Sequence, residues 1–194
     1  MQRAKQFFAA IDAEWRPTTS ARVQVSIIGC SALMLQTAYE RGTKDSDVFE
    51  TIDVAQETID QLVRIAGRGT PFHDKHLMYV DIIGNGFPFL PQTPVWHSVD
   101  LQLEHIELRA LDVVDVVVAK LKPFRPSDES DIDAMIRLGL VTHERLLERF
   151  RSAFDMFTGD ARVHELRDYV KHLNRVERDL LAEDETEFEF PSWI

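Results

Sequence analysis

The chain has 194 residues, 44% hydrophobic and 28% charged, and its 22 Lys and Arg against 33 Asp and Glu give a formal net charge of −11 at pH 7. This is a globular composition that excludes extended disorder, and its acidic balance excludes a protein that coats duplex nucleic acid through a broad basic face. The single cysteine cannot close an intrachain disulfide, no stretch offers the roughly 20 apolar residues of a membrane span, and residues 1–13 lack the apolar run of a signal peptide, so a cytoplasmic protein with no membrane partner is expected.

Phe7, Phe8 and Ile11 predict the apolar face of a first helix that ends before Arg16 and Pro17, and residues 17–20 read as a connector. Val23, Val25 and Ile27 alternate with Gln24 and Ser26, the pattern of a strand entering a core and ending at Gly29. Helix-forming residues follow from Ser31 to Glu40. After a polar turn at 41–44, Val48, Phe49 and Ile52 predict a second strand headed by acidic residues. Ile59, Leu62, Val63 and Ala66 predict an amphipathic helix stopped by Gly67 and Gly69. A third strand is expected over Leu77 to Ile83, and the segment before it, with His73, Asp74 and His76, reads as a solvated loop.

Downstream, Gly84, Gly86 and the prolines at 88, 91 and 94 predict a loop, and Val95 to Leu103 with Ile106 to Leu108 predict a hairpin. The spacings of Leu146, Phe150 and Phe154, and of Val163, Leu166, Val170 and Leu173, predict C-terminal helices with one buried stripe each. The acidic run from Glu183 to Glu189 reads as a solvated tail. The expected class is α+β, a small mixed sheet flanked by helices over 1–125 and a helical region over 126–194.

Asp45 and Asp47, two apart on a strand, project from one face about 7 Å apart at the backbone, and the pair reads either as a solvated strand start or helix cap, or as a seat for a hard cation such as Mg²⁺. Gly29 closes the preceding strand, and Cys30 and Ser31 open a helix whose first N–H groups can seat a phosphate. Cys30 also reads as a small, half-buried thiol beside the glycine turn. Lys120 sits in a valine-rich helix, where a buried ammonium needs an anion. A phosphate, or a structural partner such as Asp112, Asp115 or Asp128, would serve. Asp128 and Asp131 at a helix start can also act as caps. Arg22, Arg41, Lys44, Lys120, Lys122 and Arg125 could line a local basic groove for tRNA. Trp15, Trp96 and Trp193 are too far apart in sequence to read as a stacking series.

The run Ile27-Ile-Gly-Cys-Ser-Ala-Leu33 followed by Arg41-Gly-Thr-Lys-Asp-Ser-Asp47 resembles the nucleotidyltransferase superfamily, whose signature is a hydrophobic residue, Gly, a small residue, a spacer, then Asp-x-Asp or Asp-x-Glu. Arg41 and Thr43 ahead of the acids are similar to the branch of the AbiEii toxins and related minimal nucleotidyltransferases. Val118-Ala-Lys-Leu-Lys-Pro-Phe-Arg125, then Asp128 and Asp131, is similar to that branch's downstream motif. Cys30 stands where many members carry Gly or Ser, and Ser127 where a basic residue is common. The resemblance covers about residues 22 to 138.

It implies a nucleotidyltransferase-like sheet in which Asp45 and Asp47 bridge two Mg²⁺ ions, or Mn²⁺, and Asp81 is the third carboxylate, with Asp100 and Glu107 as fallbacks. Gly29, Cys30, Ser31, Arg41, Thr43, Lys44, Arg125 and Asp128 would surround the nucleotide, with Lys120 among the catalytic groups. The implied reaction is in-line attack on the α-phosphorus of a nucleoside triphosphate by an RNA, protein or small-molecule acceptor. A toxin paired with an antitoxin partner is one expected setting. A catalytically weak nucleotide-binding or protein-interaction module on the same fold is the other reading.

Overall fold

A computed structural model describes residues 3–16, 22–51, 54–86 and 88–190; the expected connector at 17–20, Ile52 and Trp193 lie outside the described residues. The chain divides into two compact units, one of residues 1–87 and 96–112, the other of residues 88–95 and 113–194. The first contains α1 (Arg3–Glu14), β1 (Val23–Ile27), α2 (Gly29–Gln36), β2 (Asp45–Phe49), α3 (Gln56–Ala66), α4 (Pro71–His76), β3 (Tyr79–Ile83), β4 (Trp96–Val99) and β5 (Ile106–Leu111). Its five strands form a mixed sheet in the order β3-β2-β1-β5-β4. β2–β3 and β1–β5 are parallel, whereas β1–β2 and β4–β5 are antiparallel. With the helical region that follows, this is the expected α+β class.

The period of two along each strand gives the sheet two unlike faces. Val25, Ile27, Val48, Val80, Ile106, Leu108 and Ala110 share one face and are buried. α2 packs against β2 and β5, α3 against β3, and α1 against both helices. Phe7, Phe8 and Ile11 of α1 are buried as their spacing predicts. The other face carries Gln24 and Ser26 of β1, Asp45, Asp47 and Phe49 of β2, Asp81 of β3, Glu107 and Arg109 of β5, and Trp96 and Ser98 of β4.

Several elements differ from the sequence expectation. Residues 71–76 are helical because the Thr70 hydroxyl caps the helix by accepting from the His73 N–H at 3.2 Å, Pro71 suits the first turn, and Phe72 is buried against Phe7. Val63 is exposed, so the buried stripe of α3 is Ile59, Leu62 and Ala66. The hairpin forms with a shorter first strand and a longer second one than expected.

One buried carboxylate ties the first helix to the sheet. Asp12 is 7% exposed and accepts three backbone hydrogen bonds, from the N–H groups of Glu104 at 2.7 Å, His105 at 2.9 Å and Ile106 at 2.9 Å. These donors lead into β5, and charge-assisted bonds of this kind are about twice as strong as neutral ones.

The second unit contains α5 (Val113–Lys120), α6 (Pro126–Arg137), α7 (His143–Phe157), α8 (Leu166–Val176) and a π-turn at Glu177–Leu181. Val114, Val116, Val117 and Val118 bury α5 almost all round. Phe89 sits edge-on to Phe150 and Phe157 and tilted against Tyr169, joining residues 88–95 to α7 and α8. Buried Asp115 is held by the Arg149 guanidinium at 2.6 and 2.8 Å and by the Val95 N–H at 2.8 Å.

The acidic tail is anchored, contrary to the expectation of a solvated run. Glu177, fully buried, accepts from the Thr186 N–H at 2.9 Å and the Thr186 hydroxyl at 2.7 Å and shares a hydrogen bond with His143 Nε2 at 2.8 Å. Phe188 meets Phe150 and Phe154, and Phe190 meets Phe154. Only the outward positions of the tail are acidic, so charge counting alone misses the inward Phe residues.

Asp12→Ala leaves three backbone donors without an acceptor in a buried place. A loss of about 2–4 kcal/mol is expected, read as a lower urea midpoint at unchanged slope.

Candidate functional site

The site is built where β1 ends and β2 begins. The backbone of Ile28 is extended, its N–H donates to the Asp47 carbonyl at 3.0 Å, and Gly29 then turns at φ +65° into α2. A Cβ at Gly29 would overlap the Asp47 carboxylate. Glycine is therefore required twice, by its positive φ and by the carboxylate over it. Ile28 at the N-cap offers no side-chain acceptor, so the carboxylate lies where the positive end of the helix dipole favours negative charge. Cys30 and Ser31 follow, both buried, and the Ser31 hydroxyl lies 3.4 Å from the Asp45 carbonyl.

Asp45 is fixed from its own turn. The buried Thr43 hydroxyl donates to Asp45 Oδ1 at 2.7 Å. In the same turn Arg41 is half-buried and Lys44 exposed, and the Lys44 carbonyl accepts from the Tyr79 N–H at 2.9 Å, which starts the β2–β3 ladder. That ladder places Asp81 in direct register with Asp47 on the neighbouring parallel strand. Asp45, Asp47 and Asp81 thus share one face, with like charges side by side, an unfavourable arrangement for a sheet unless a cation or a proton intervenes. The fallback acids lie elsewhere: Asp100 accepts from the Gln102 N–H at 3.0 Å, and Glu107 is an exposed residue of β5 opposite Gln24.

Among the described residues no group of three or more His, Cys, Asp or Glu is gathered to hold a metal ion. Shared register brings Asp81 beside Asp47 at the backbone without closing such a group. The donor set nonetheless suits Mg²⁺, which is commonly held through one or two carboxylates and completed by water and substrate phosphates, not by an all-protein cage. Asp45 and Asp47 are the two carboxylates that would hold it.

Lys120, Arg125 and Asp128 lie in the second unit and form a cluster of their own. The Lys120 ammonium, 7% exposed, is 2.8 Å from Asp128 Oδ1 and 2.8 Å from the buried Asp131 Oδ2. Burial acts to lower its pKa, but the charges and hydrogen bonds of Asp131 and Asp128 outweigh that and raise it above the ordinary lysine value. Asp128 also accepts from the Arg125 N–H at 3.0 Å and so caps α6 while pairing with Lys120. Of the other acids considered for Lys120, Asp115 is held by Arg149, and Asp112 shares a 2.8 Å hydrogen bond with His97 Nε2.

A further cluster on the acid-bearing face escapes sequence reasoning. Arg109 of β5 donates from Nε to the Ser26 hydroxyl at 2.6 Å, and its guanidinium lies 4.9 Å from the centre of the Trp96 ring, which stacks at 5.8 Å on Phe49 of β2. Strand alternation places each on a polar face, but only the pairing of β1 with β5 and of β5 with β4 makes them neighbours.

Two substitutions test these arrangements. Gly29→Ala is expected to lose about 2–3 kcal/mol through left-handed strain and overlap with Asp47, seen as a lower thermal midpoint. Lys120→Met leaves Asp128 and Asp131 facing each other without a cation, and a loss of about 3–5 kcal/mol is expected in the same measurement.

Comparison with protein-family models matches residues 6–180 to a family described as nucleotidyltransferase of unknown function, DUF6036. No curated protein and no solved structure matches the chain. The match runs through Gly29, the acids of β2 and β3 and the Lys120 cluster, and the chain therefore belongs to the DUF6036 family of nucleotidyltransferases.

Proposed function

We propose that the chain moves a nucleoside monophosphate from a nucleoside triphosphate to an acceptor hydroxyl, with the head of β2 and the start of α2 as its centre. The observation that carries this reading is the Asp47 carboxylate lying over Gly29, which brings an acid and a helix N-terminus together. The first-turn N–H groups of α2 would bind the phosphate tail through the helix dipole. Asp45, held by Thr43, and Asp47 would hold Mg²⁺. When bound, Mg²⁺ neutralises the phosphate charge that develops during transfer. Asp81, in register with Asp47, would accept the proton of the acceptor hydroxyl as the oxygen–phosphorus bond forms and pyrophosphate leaves.

RNA, including tRNA, a protein or a small molecule are the acceptors this chemistry allows, and a toxin of the AbiEii type with an antitoxin partner is the setting we favour. Lys120 is assigned first to its ion triad; a role toward the nucleotide would appear as lost activity per folded molecule in Lys120→Met. One observation favours a second reading, a nucleotide-binding module with weak catalysis. The three sheet carboxylates are not gathered into a ligand group.

The deciding experiment combines a thermal melt with a labelling assay. Mg²⁺ with a nucleoside triphosphate is expected to raise the melting temperature by several degrees, since ligand at about 100 times its Kd adds about 2.7 kcal/mol. Asp47→Asn is expected to remove the shift and to lower transfer of labelled nucleotide at least about 100-fold. A wild-type shift without transfer to RNA, protein or added small molecules favours the binding module. No metal-dependent shift at millimolar ligand defeats both readings.

A further inference from the structure

We propose that Arg109, with Ser26 and Trp96, forms a phosphate-binding site on the acid-bearing face of the sheet, in addition to the seat at α2. Arg109 is half-buried on β5 of an acidic protein, with Glu107 two residues away on the same face, yet it makes no ion pair among the described residues. Its Nε is engaged by Ser26 at 2.6 Å and its plane by Trp96 at 4.9 Å, while its terminal nitrogens meet no acceptor among the described residues.

A guanidinium spends its five N–H donors most effectively on a carboxylate or phosphate, where two parallel bonds form at once. Here one bond and one aromatic contact fix its orientation and leave the paired terminal donors available. Ser26 lies on β1 between Arg109 on β5 and Phe49 on β2. Phe49 in turn follows Asp47 by two residues. At about 4.8 Å per strand and 3.4 Å per residue, the Cα atoms of Arg109 and Asp47 are about 12 Å apart along the sheet.

The ligand chemistry is therefore an anion that shares this face with the acids, and in a nucleotidyltransferase that is a nucleotide phosphate. The ligand class rests on the transfer reading above, whereas the site itself rests on Arg109. The phosphate has two sources, the tail of the donor triphosphate or a phosphate of a nucleotide acceptor.

The test measures binding of inorganic triphosphate and of a short 5′-phosphorylated oligoribonucleotide, both without Mg²⁺, to the wild type and to Arg109→Met and Arg109→Lys. Met preserves the stem and removes the charge; Lys keeps the charge and loses the fork. We expect Arg109→Met to weaken one probe at least tenfold and Arg109→Lys to weaken it less. Loss on triphosphate assigns the donor tail. Loss on the oligoribonucleotide, with a salt slope shallower by about 1, assigns the acceptor.

Thermal melts accompany both variants, and if Arg109→Met unfolds, the Arg109→Lys titration decides alone, a threefold or greater loss on either probe being the expected result. Binding of both probes unchanged in the folded variants, or absent in the wild type, overturns the site. A missing Mg²⁺-dependent melting shift in the wild type fails the transfer reading instead, and it leaves this metal-free comparison intact.

Discussion

The space left by the absent side chain of Gly29 governs the first unit's acidic end. The chain leaves β1, turns through a positive φ and enters α2 beneath the carboxylate of Asp47. A Cβ there would force the Asp47 carboxylate to swing away from the start of α2. The Ile28 N–H bond to the Asp47 carbonyl locks the same approach from the backbone side. One glycine thus couples a helix start to a carboxylate of β2.

The buried acids of this acidic chain show how it manages its charge. Asp12 is spent on three backbone donors, Asp115 on a bidentate arginine, Glu177 on a histidine and a threonine, and Asp131 on Lys120. Each carboxylate taken out of water is repaid by fixed donors, as the cost of burying a charge requires. On the sheet face the logic differs. Asp45 has a neutral hydroxyl from Thr43, and Asp81 lies exposed on an edge strand opposite another acid, with no hydrogen-bond partner or ion pair among the described residues.

The two clusters implied by the superfamily resemblance therefore have different physical characters. The Lys120 triad is electrostatically closed, with a raised ammonium pKa and two carboxylates at hydrogen-bond distance. It joins the end of α5 to the first turns of α6. The group at the head of β2 is more exposed, and its contacts include the Thr43 hydroxyl on Asp45 and the Ile28 N–H on the Asp47 carbonyl.

Local chemistry made much of this legible in the amino-acid order alone. Strand alternation exposed β1, the three-four spacing exposed α3 and α8, the four-four spacing exposed α7, and the glycine ahead of two same-face aspartates marked the candidate site, because each signal lies within a few residues of chain. Thr70 and Pro71 mark the start of α4 in the same local way, a signal that the loop reading of His73, Asp74 and His76 leaves unused. Contacts between distant segments were beyond reach. Asp12 with residues 104–106, Arg109 with Ser26 and Trp96, and Glu177 with the tail depend on strand order and on helix ends meeting loops far away in sequence. Periodicity reports which face of an element is apolar, whereas pairing depends on which apolar faces bury one another best, and that is decided only when the whole sheet and its helices assemble.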